Sequence, residues 1–398
     1  MEFHFSERMR TLKPSAIREI LKNSTPDMIA FAAGNPSTDT FPIEEMGAIA
    51  GELFADKSRI AGILQYGLSE GYQPLRDICF GRMREKYQTG GDDDQLIITS
   101  GAQQAIDLLT KAMIDPGDTI IVEGPSFIGS LNAFRTYQAN LAAVPMQSDG
   151  MDLDVLEHRL KTEKNVKFIY IISTFQNPSG YTTSMEKRRA ILELAHRYDV
   201  LILEDNPYFE LRYEGEYVPN IKSLDTEGRV VYVGSYSKIL SAGIRLGYVI
   251  AHKDLMSKMI IGKQATDVHT NLFFQVVAAE YMSRCDLDAH IEKARGIYRE
   301  KRDLMLSCLQ QKLPQDVTFS RPQGGLFVWM DLPEGSDGKA LSALTVQQKV
   351  SIVPGNCFMV DDSKVNRGVR LNFSMPSKEQ IEKGTDILAS CIREYLNR

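Results

Sequence analysis

Three polar residues that could take part in catalysis stand at the ends of short apolar segments in this sequence. Lys238 follows one such segment, Asp205 closes a second, and Asn177 comes shortly after a third. A lysine amine can bond covalently to a carbonyl carbon and can also move a proton. A carboxylate at the end of an apolar segment is costly to bury unless a cation or a hydrogen-bond donor compensates it. A protonated pyridine nitrogen would be such a partner for Asp205.

A turn of small residues at Ser100–Gln104 precedes a helical pattern. Such a turn leaves backbone N–H groups free at a helix N-terminus, where the dipole favours an anion such as a phosphate. Taken alone, the turn is a common strand–helix connection, and Lys238 would ordinarily be a solvated surface lysine. Together, however, an amine, a carboxylate, an amide and a phosphate-binding turn are what pyridoxal phosphate requires of a protein. The combination therefore predicts a pyridoxal phosphate site.

Six short segments, mostly apolar and rich in β-branched residues, predict strands that are buried on both faces. They are Gln95–Thr99, Thr119–Glu123, Val166–Ser173, Val200–Asp205, Val230–Ser235 and Gly247–Ala251. Helical patterns at Gln103–Ile114 and at Ser184–Tyr198, the latter with Ser184 as its N-cap, lie between them. This alternation predicts an α/β fold with a mostly parallel sheet, whose ligands bind beyond the carboxyl ends of the strands.

The length of 398 residues predicts two packed domains. After about residue 252 the pattern becomes helical, and near Val317 a second, smaller α/β unit begins. We expect residues 1–45 to form an arm that joins the small domain. Residues 46–285 should form the large cofactor-binding domain, and residues 286–398 the small C-terminal domain.

The composition is typical of a soluble globular protein, with 43% hydrophobic and 25% charged residues and a net charge of −6. This balance gives no reason to expect binding to nucleic acid or to a membrane, and no apolar stretch reaches the roughly 20 residues of a membrane span. The five cysteines and six histidines are scattered, so we expect neither disulfides nor a metal site. The first 20 residues lack a signal-peptide pattern, which predicts a cytoplasmic protein.

Several motifs occur along the chain in a definite order and spacing. They are Lys13–Arg18, Gln65–Tyr66, Ser100–Gln104, Gln176–Gly180, Asp205–Tyr208, Ser235–Lys238 with Arg245, Pro354–Phe358 and Arg370–Ser374. Over nearly its whole length the chain resembles the fold-type I aminotransferases of the class I/II superfamily, and most of all the subgroup with the kynurenine/2-aminoadipate and related broad-specificity enzymes. The resemblance implies a large domain with a mostly parallel sheet sandwiched by helices, plus a smaller α/β domain.

The resemblance also implies how this chain would hold the cofactor. Lys238 would bind pyridoxal phosphate covalently, Asp205 would keep the pyridine nitrogen protonated, and Asn177 and Tyr208 would hydrogen-bond the phenolic oxygen. Phe127 would stack on the ring. The implied phosphate-binding residues are Gly101, Ala102, Gln103, Ser235, Ser237 and Arg245. Relatives commonly have Ser or Thr at the position of Ala102, so backbone N–H groups must suffice there.

Substrate and subunit contacts are implied in the same way. Arg370 would grip the substrate α-carboxylate through two parallel hydrogen bonds, with Asn177 on the same carboxylate. Gly34 and Arg18 would border the substrate, and Tyr66 would reach the phosphate of the neighbouring subunit in a homodimer. The loop Phe31–Pro36 lacks the double glycine of the named enzymes of the subgroup, which leaves the side-chain specificity open.

The implied activity is ping-pong transamination from an L-amino acid to a 2-oxo acid, with 2-oxoglutarate as the expected acceptor and a role in amino acid metabolism. A β-lyase or decarboxylase would start from the same lysine and carboxylate, although Arg370 favours reactions that retain the carboxylate. A ligand-sensing domain of a transcription regulator is a further alternative. The match begins within the first 20 residues, however, which leaves no room for a DNA-binding region ahead of it.

Overall fold

The computed structural model describes residues 3–10, 12, 14, 22, 25 and 27–397. Its largest element is an eight-stranded sheet with the order β2-β9-β8-β7-β6-β3-β4-β5. The strands of the described residues, in chain order, are β1 Ile29–Ala30, β2 Asp94–Thr99, β3 Thr119–Gly124, β4 Asn140–Gln147, β5 Gly150–Met151, β6 Val166–Ile171, β7 Leu201–Asp205, β8 Val230–Ser235, β9 Gly247–His252, β10 Thr318–Phe319, β11 Phe327–Asp331, β12 Val350–Ser351, β13 Val353–Pro354 and β14 Gly368–Asn372.

All six strands predicted from the sequence are present, and their ends agree within two residues. The sheet is mixed, because β9 runs antiparallel to both of its neighbours, β2 and β8. Strands β4, β3, β6, β7 and β8 pair in parallel. Since β2 is antiparallel to β9, it points the same way as β8. The carboxyl ends of β2, β3, β6, β7 and β8 therefore meet at one edge of the sheet.

Helices cover both faces of this sheet. Among the described residues they are α1 Glu7–Arg10, α2 Ile43–Ala55, α3 Lys57–Ile63, α4 Gln73–Tyr87, α5 Ala102–Met113, α6 Ile128–Thr136, α7 Leu153–Thr162, α8 Met185–Arg197, α9 Lys253–Gln264, α10 Leu272–Arg284, α11 Leu287–Lys312, α12 Gly338–Gln347 and α13 Lys378–Leu396. Three 3-10 helices lie at Thr38–Thr40, Ile221–Leu224 and Gly355–Phe358. Ser184 caps α8 as predicted, because its side chain accepts a hydrogen bond from the backbone N–H of Lys187.

Successive residues of the central strands pack into different layers, which explains why the sheet is sandwiched. Ile121 and Ile169 belong to the apolar cluster that contains Leu156 of α7 and Ile191 of α8. Their neighbours in the chain face the opposite side and pack with the residues of α5. Both faces of the central strands are thus removed from water. Polar side chains that bind a ligand are therefore expected at the ends of the strands.

A second, four-stranded antiparallel sheet of order β10-β11-β14-β13 begins at Thr318, one residue after the predicted start of the smaller unit. Strand β1 pairs in parallel with β12, with Ile29 opposite Val350. The N-terminal part of the chain is therefore hydrogen-bonded to a segment close to the C-terminus. None of the helices in the described part of the chain is long and apolar enough to span a membrane.

Candidate active site

Lys238 follows β8 and points its amine at the N-terminal part of the chain. Its Nζ donates a hydrogen bond to the carbonyl oxygen of Gly34 at 2.8 Å. Burial lowers the pKa of this amine to about 8, and the positive charges of Arg370 and Arg245 lower it further in the same direction. A lysine with this pKa is neutral in about one tenth of the molecules at pH 7, far more often than an ordinary lysine, and both covalent attachment and proton transfer need the neutral amine.

Asp205 ends β7 with only one of its two carboxylate oxygens hydrogen-bonded. Oδ2 accepts a hydrogen bond from the hydroxyl of Tyr170 at 2.8 Å, and that hydroxyl accepts one from Oγ of Ser130 at 2.7 Å. Oδ1 is buried and has no partner among the described residues. Burial raises the pKa of the carboxyl to about 7, which the hydrogen bond from Tyr170 partly opposes. A buried, unpartnered acceptor needs an external donor, and the protonated pyridine nitrogen of the predicted cofactor fits this requirement.

Asn177 and Tyr208 lie next to this carboxylate and are themselves buried. Oδ1 of Asn177 accepts a hydrogen bond from Nη1 of Arg370 at 3.0 Å. The Tyr208 side chain is hydrogen-bonded to Asn177, although burial raises the pKa of its hydroxyl well above the ordinary value. Its ring packs edge-on against Phe327, with the ring centres 5.8 Å apart. An amide and a neutral phenol are thus available as hydrogen-bond donors near Asp205.

The turn after β2 has the geometry of an anion-binding site. Gly101 has a φ of +80°, which favours glycine, and a Cβ there would lie 2.3 Å from Nη2 of Arg245, so any other residue would also displace this guanidinium. Gly101 is the N-cap of α5 and offers no side-chain cap, so backbone N–H groups in the first turn of the helix, which starts at Ala102 and Gln103, are left for another acceptor. Nη2 of Arg245 donates to the carbonyl of Ser100 at 3.2 Å.

Three further predicted residues surround this turn. Nη1 of Arg245 donates to Oγ of Ser237 at 3.4 Å, and the backbone N–H of Ser237 donates to Oγ of Ser235 at 3.2 Å. Phe127 and Gln103 both approach Gly129, where a Cβ would lie 2.6 Å from the Phe127 ring. The predicted phosphate-binding and ring-stacking residues are therefore neighbours in space. A guanidinium, two hydroxyls and free N–H groups fit a phosphate dianion.

Arg370, on β14, is a buried cation. Its guanidinium lies between the rings of Phe327, at 4.3 Å, and Phe358, at 5.1 Å. Nη2 donates to the carbonyl of Ala32 at 2.7 Å, while Nε is buried without a partner in the described part of the chain. Burial lowers the pKa of Arg370 to about 10. No carboxylate of the described residues forms an ion pair with it, so an incoming carboxylate would supply the missing charge.

Two of the predicted site residues are not found in this cluster. Arg18 lies outside the described residues. Tyr66 is 80% exposed, and its ring packs edge-on against His269 with the ring centres 5.9 Å apart. Gly34, in contrast, lies in the site because its carbonyl accepts the hydrogen bond from Lys238.

Sequence reasoning missed two buried groups beside the strand ends. One is the pair Tyr170 and Ser130 behind Asp205; a tyrosine in an otherwise apolar segment was the available signal. The other is Glu123 in β3, whose Oε2 accepts hydrogen bonds from the N–H of Ile172 and from Gln176, both at 3.1 Å. Burial raises the pKa of Glu123 to about 8. Its signal in the sequence was the same as that of Asp205, an acid that closes an apolar strand.

A search of the described residues for three or more His, Cys, Asp or Glu side chains that could share a metal ion finds no such group. The five cysteines are not paired in disulfides.

The chain is similar to known proteins over most of its length. The family model for aminotransferase class I and II matches residues 26–388. An aromatic-amino-acid aminotransferase of Thermococcus litoralis is 42% identical, with an alignment that covers 100% of this chain and 96% of the relative.

Two solved aminotransferase structures are also similar to this chain over nearly its whole length. The multiple substrate aminotransferase from Thermococcus profundus has a TM-score of 0.94 and 41% identity, covering 99% of this chain and 98% of its own. The Pyrococcus horikoshii kynurenine aminotransferase, solved in complex with PMP, has a TM-score of 0.94 and 38% identity, covering 98% and 97%.

Proposed function

The chain belongs to the class I and II aminotransferases, and we propose that Lys238, Asp205 and Arg370 are the residues that carry its reaction. It is a pyridoxal-phosphate-dependent enzyme that moves an amino group from an amino acid to a 2-oxo acid. The residue roles below, a ping-pong order of substrates and 2-oxoglutarate as the acceptor are our proposal.

The residues around Lys238 would hold the cofactor by complementary charge. The unpartnered Oδ1 of Asp205 would accept a hydrogen bond from the ring nitrogen, and Asn177 and Tyr208 would serve the phenolic oxygen. Phe127 would pack on the ring. The phosphate would be bound by Gly101, Ala102, Gln103, Ser235, Ser237 and Arg245. When bound, pyridoxal phosphate supplies an electron sink that stabilises the negative charge left on the substrate's Cα when its proton is removed.

Arg370 and Lys238 would act on the amino acid. The buried guanidinium of Arg370 binds the α-carboxylate and so fixes the orientation of the substrate's Cα, and Asn177, already hydrogen-bonded to Arg370, contacts the same group. Lys238 would act as the general base for the Cα proton after the substrate's amino group has replaced it on the cofactor, since its amine is free only then and its lowered pKa favours the neutral form. The carbonyl of Gly34 holds that amine in place, and Gly34 thereby borders the substrate.

One observation carries this proposal: among the described residues, a buried carboxylate oxygen without a donor and a buried arginine without an acid lie in the same site as a lysine of lowered pKa. The test is to reduce the holoenzyme with borohydride and to map the modified peptide. We expect the cofactor mass on the peptide that contains Lys238 and loss of amino-donor turnover in Lys238→Ala. Lys253→Ala is the matched control, because Lys253 is 52% exposed and pairs with Asp93. A label on another lysine would contradict the assignment.

The amino donor is proposed to carry a large apolar or aromatic side chain. Ile128, Trp329, Val353 and Phe358 form an apolar cluster against which Phe127 packs, and Phe358 also contacts the guanidinium of Arg370. A side chain that extends from a carboxylate held at Arg370 would meet this apolar wall. The name of the Thermococcus litoralis relative agrees with such a preference. With 2-oxoglutarate as acceptor, phenylalanine and tyrosine should give higher kcat/KM than aspartate; the opposite order would contradict this proposal.

We also propose that the enzyme is a homodimer whose subunits share their active sites. A hollow of about 250 Å³ on the surface is lined by apolar and aromatic side chains, among them Leu64, Tyr66 and Phe273, together with polar ones such as Gln65 and Asn271. Leu64 is 65% exposed and Tyr66 is 80% exposed, as expected for side chains that a partner covers. Leu64→Glu should shift the holoenzyme to monomers in sedimentation. A monomeric wild-type protein would refute the proposal.

The division into an arm of residues 1–45, a large domain of residues 46–285 and a small domain of residues 286–398 is also a proposal. It is supported by the pairing of β1 with β12 and by the separate sheet that begins at Thr318. Limited proteolysis should cut near residues 285 and 286, between α10 and α11, whereas the boundary after residue 45 lies within α2 and should resist cleavage. We further propose a cytoplasmic location, which cell fractionation would test.

A further inference from the structure

A second buried lysine lies outside the catalytic cluster, near the end of α9. The side chain of Lys263 has no exposed surface. Its Nζ donates to Oδ1 and Oδ2 of Asp267, at 2.9 and 3.1 Å, to Oε1 of Gln104 at 2.8 Å and to Oγ1 of Thr270 at 2.9 Å. A buried ammonium is costly unless each of its three N–H donors is used. All three donors of this lysine are used, although burial outweighs the hydrogen bond and charge of Asp267 and lowers the pKa of the amine.

The acceptors of Lys263 lead directly to the turn at Ser100–Gln104. Oδ2 of Asp267 accepts hydrogen bonds from Oγ of Ser100 at 3.0 Å and from Nε2 of Gln104 at 2.7 Å. Oε1 of Gln104 also accepts from the backbone N–H of Ser100 at 2.8 Å. The carbonyl of the same Ser100 is the acceptor for Arg245. The turn is therefore held on one side by Arg245 and on the other by Lys263 through Asp267 and Gln104.

On its other side, Lys263 stabilises the turn that joins α9 to α10. The backbone N–H groups of Thr266, Asp267 and Val268 all donate to the carbonyl of Lys263, at 2.9, 3.0 and 3.2 Å. Val268 has a φ of +64°, a left-handed conformation that a β-branched residue rarely adopts. Such a conformation persists only where the surrounding contacts impose it. The hydrogen bonds from Lys263 to Asp267 and to Thr270 lie on both sides of Val268 in the chain, and they hold its backbone in this left-handed conformation.

Charge gives Lys263 a second effect on the turn. Asp267 is partly buried, and the hydrogen bond and charge of Lys263 overcome the effect of burial and hold the pKa of Asp267 below its usual value. The carboxylate is hydrogen-bonded to Ser100, the residue directly before Gly101. Without Lys263, a phosphate bound at this turn would face an uncompensated negative charge.

We propose that Lys263 is a positioning residue for the cofactor phosphate: it neutralises Asp267 and fixes the Ser100–Gln104 turn in the conformation that binds the anion. The inference rests on the phosphate-binding role proposed above for that turn. Lys263 itself touches neither the cofactor nor the substrate. It acts through Asp267, Gln104 and Ser100.

The test compares two ligands, pyridoxal phosphate and pyridoxal, which differ only in the phosphate. The holoenzyme of each variant is dialysed against inorganic phosphate, and both ligands are then titrated back while the absorbance of the lysine-bound group is followed. In Lys263→Met we expect the dissociation constant for pyridoxal phosphate to rise by about tenfold or more, and that for pyridoxal to stay within about twofold. The double variant Lys263→Met/Asp267→Asn should recover most of the loss, because it also removes the uncompensated charge.

Lys111→Met is the matched control, because Lys111 of α5 donates to Oγ1 of Thr266 in the turn between α9 and α10 but, within the described residues, has no hydrogen bond to Ser100 or Gln104. It should bind both ligands as the wild type does. If Lys263→Met does not fold, Gln104→Met replaces it, because this change removes the path from Lys263 to the backbone of Ser100 through Gln104 and leaves the Lys263–Asp267 pair and the Asp267–Ser100 hydrogen bond intact. The same selective loss is expected there.

Two results would overturn the inference. One is a folded Lys263→Met or Gln104→Met protein whose affinity for pyridoxal phosphate stays within about twofold of the wild type. The other is an equal loss of affinity for both ligands, which would indicate a general structural role. Borohydride mapping separates these results from a failure of the proposed function. If the cofactor is trapped on Lys238 while the affinities do not change, only the role of Lys263 is wrong; a label elsewhere contradicts the active site itself.

Discussion

Removing a single hydroxyl behind Asp205 should weaken cofactor binding without disturbing the packing around it. The hydroxyl of Tyr170 donates to Oδ2 of Asp205 at 2.8 Å, and within the described residues it is the side chain that hydrogen-bonds this carboxylate. Tyr170→Phe keeps the buried ring and removes the donor. The carboxylate then loses a hydrogen bond in a site where burial has already raised its pKa to about 7.

The size of the effect follows from the charge of the acceptor. A hydrogen bond to a charged group contributes about 1.5–3 kcal/mol, and each pKa unit corresponds to about 1.4 kcal/mol, so the pKa of Asp205 should rise by about 1–2 units. If the ionised carboxylate is the form that holds the protonated ring nitrogen, a rise of about 1–2 pKa units should lower the affinity for pyridoxal phosphate by about ten- to hundredfold at a pH below the pKa of Asp205. Ionised Asp205 is lost as the pH falls through its pKa. A raised pKa therefore moves the acid limb of the activity profile to higher pH.

The assay is a titration of cofactor-free Tyr170→Phe with pyridoxal phosphate, together with the pH dependence of kcat at saturating cofactor. Tyr232→Phe is the control, because Tyr232 is also a buried tyrosine of the central sheet but its hydroxyl has no hydrogen-bond partner among the described residues. That variant should match the wild type. Unchanged affinity and an unmoved acid limb in Tyr170→Phe would refute the reasoning, as would an equal loss in Tyr232→Phe.

Three further predictions concern the same site. Asp205→Asn should stabilise the cofactor-free protein against urea at pH 8, because burial raises the pKa of this acid from 3.8 to about 7. Ionisation then costs the folded state up to about 4 kcal/mol above pH 7 and nothing below about pH 4, so the gain should disappear in acid. Gly101→Ala should weaken pyridoxal phosphate binding by about tenfold or more, measured by the same titration, because its Cβ would lie 2.3 Å from Arg245. Arg370→Lys should raise the KM for the amino donor by about tenfold or more, measured by steady-state kinetics, because an ammonium cannot form two parallel hydrogen bonds; its affinity for the cofactor should not change.

Each of these three has a definite contrary result. A stability gain in Asp205→Asn that is the same at pH 4 and pH 8 would mean that the carboxyl is not strained by burial. Normal cofactor affinity in Gly101→Ala would mean that Arg245 can leave the turn freely. An unchanged KM in Arg370→Lys would remove Arg370 from the carboxylate site.

Local signals in the sequence gave the strands and the helix starts with good accuracy. Val230–Ser235 was predicted to the residue, because a β-branched run there is bounded by polar residues on both sides. Ser184 caps α8 because a serine before a helical pattern can satisfy a free N–H group. Strand β4, Asn140–Gln147, was not among the predicted strands, since it contains alanines and a proline and only one β-branched residue.

Contacts between distant residues were not accessible from local patterns. Lys238 and the carbonyl of Gly34 are 204 positions apart, and Arg370 and Asn177 are 193 positions apart. The resemblance to a family could suggest which residues share a site, but not that a backbone carbonyl would hold the lysine amine. The antiparallel direction of β9 was missed for a similar reason: the direction of a strand depends on how the connecting loop folds, and apolar patterns do not record it.

The pairing of β1 with β12 has a consequence for the order in which the protein becomes complete during synthesis. Ile29 leaves the ribosome about 320 residues before its partner Val350. At about 5–20 residues per second, this delay is on the order of 15 to 60 s. Throughout that time the segment that later supplies the carbonyl of Gly34 has no strand to pair with. Lys238 can therefore have strand β8 and Asp205 beside it well before the Gly34 segment is held in place. The active site is complete only when the last fifth of the chain has been made.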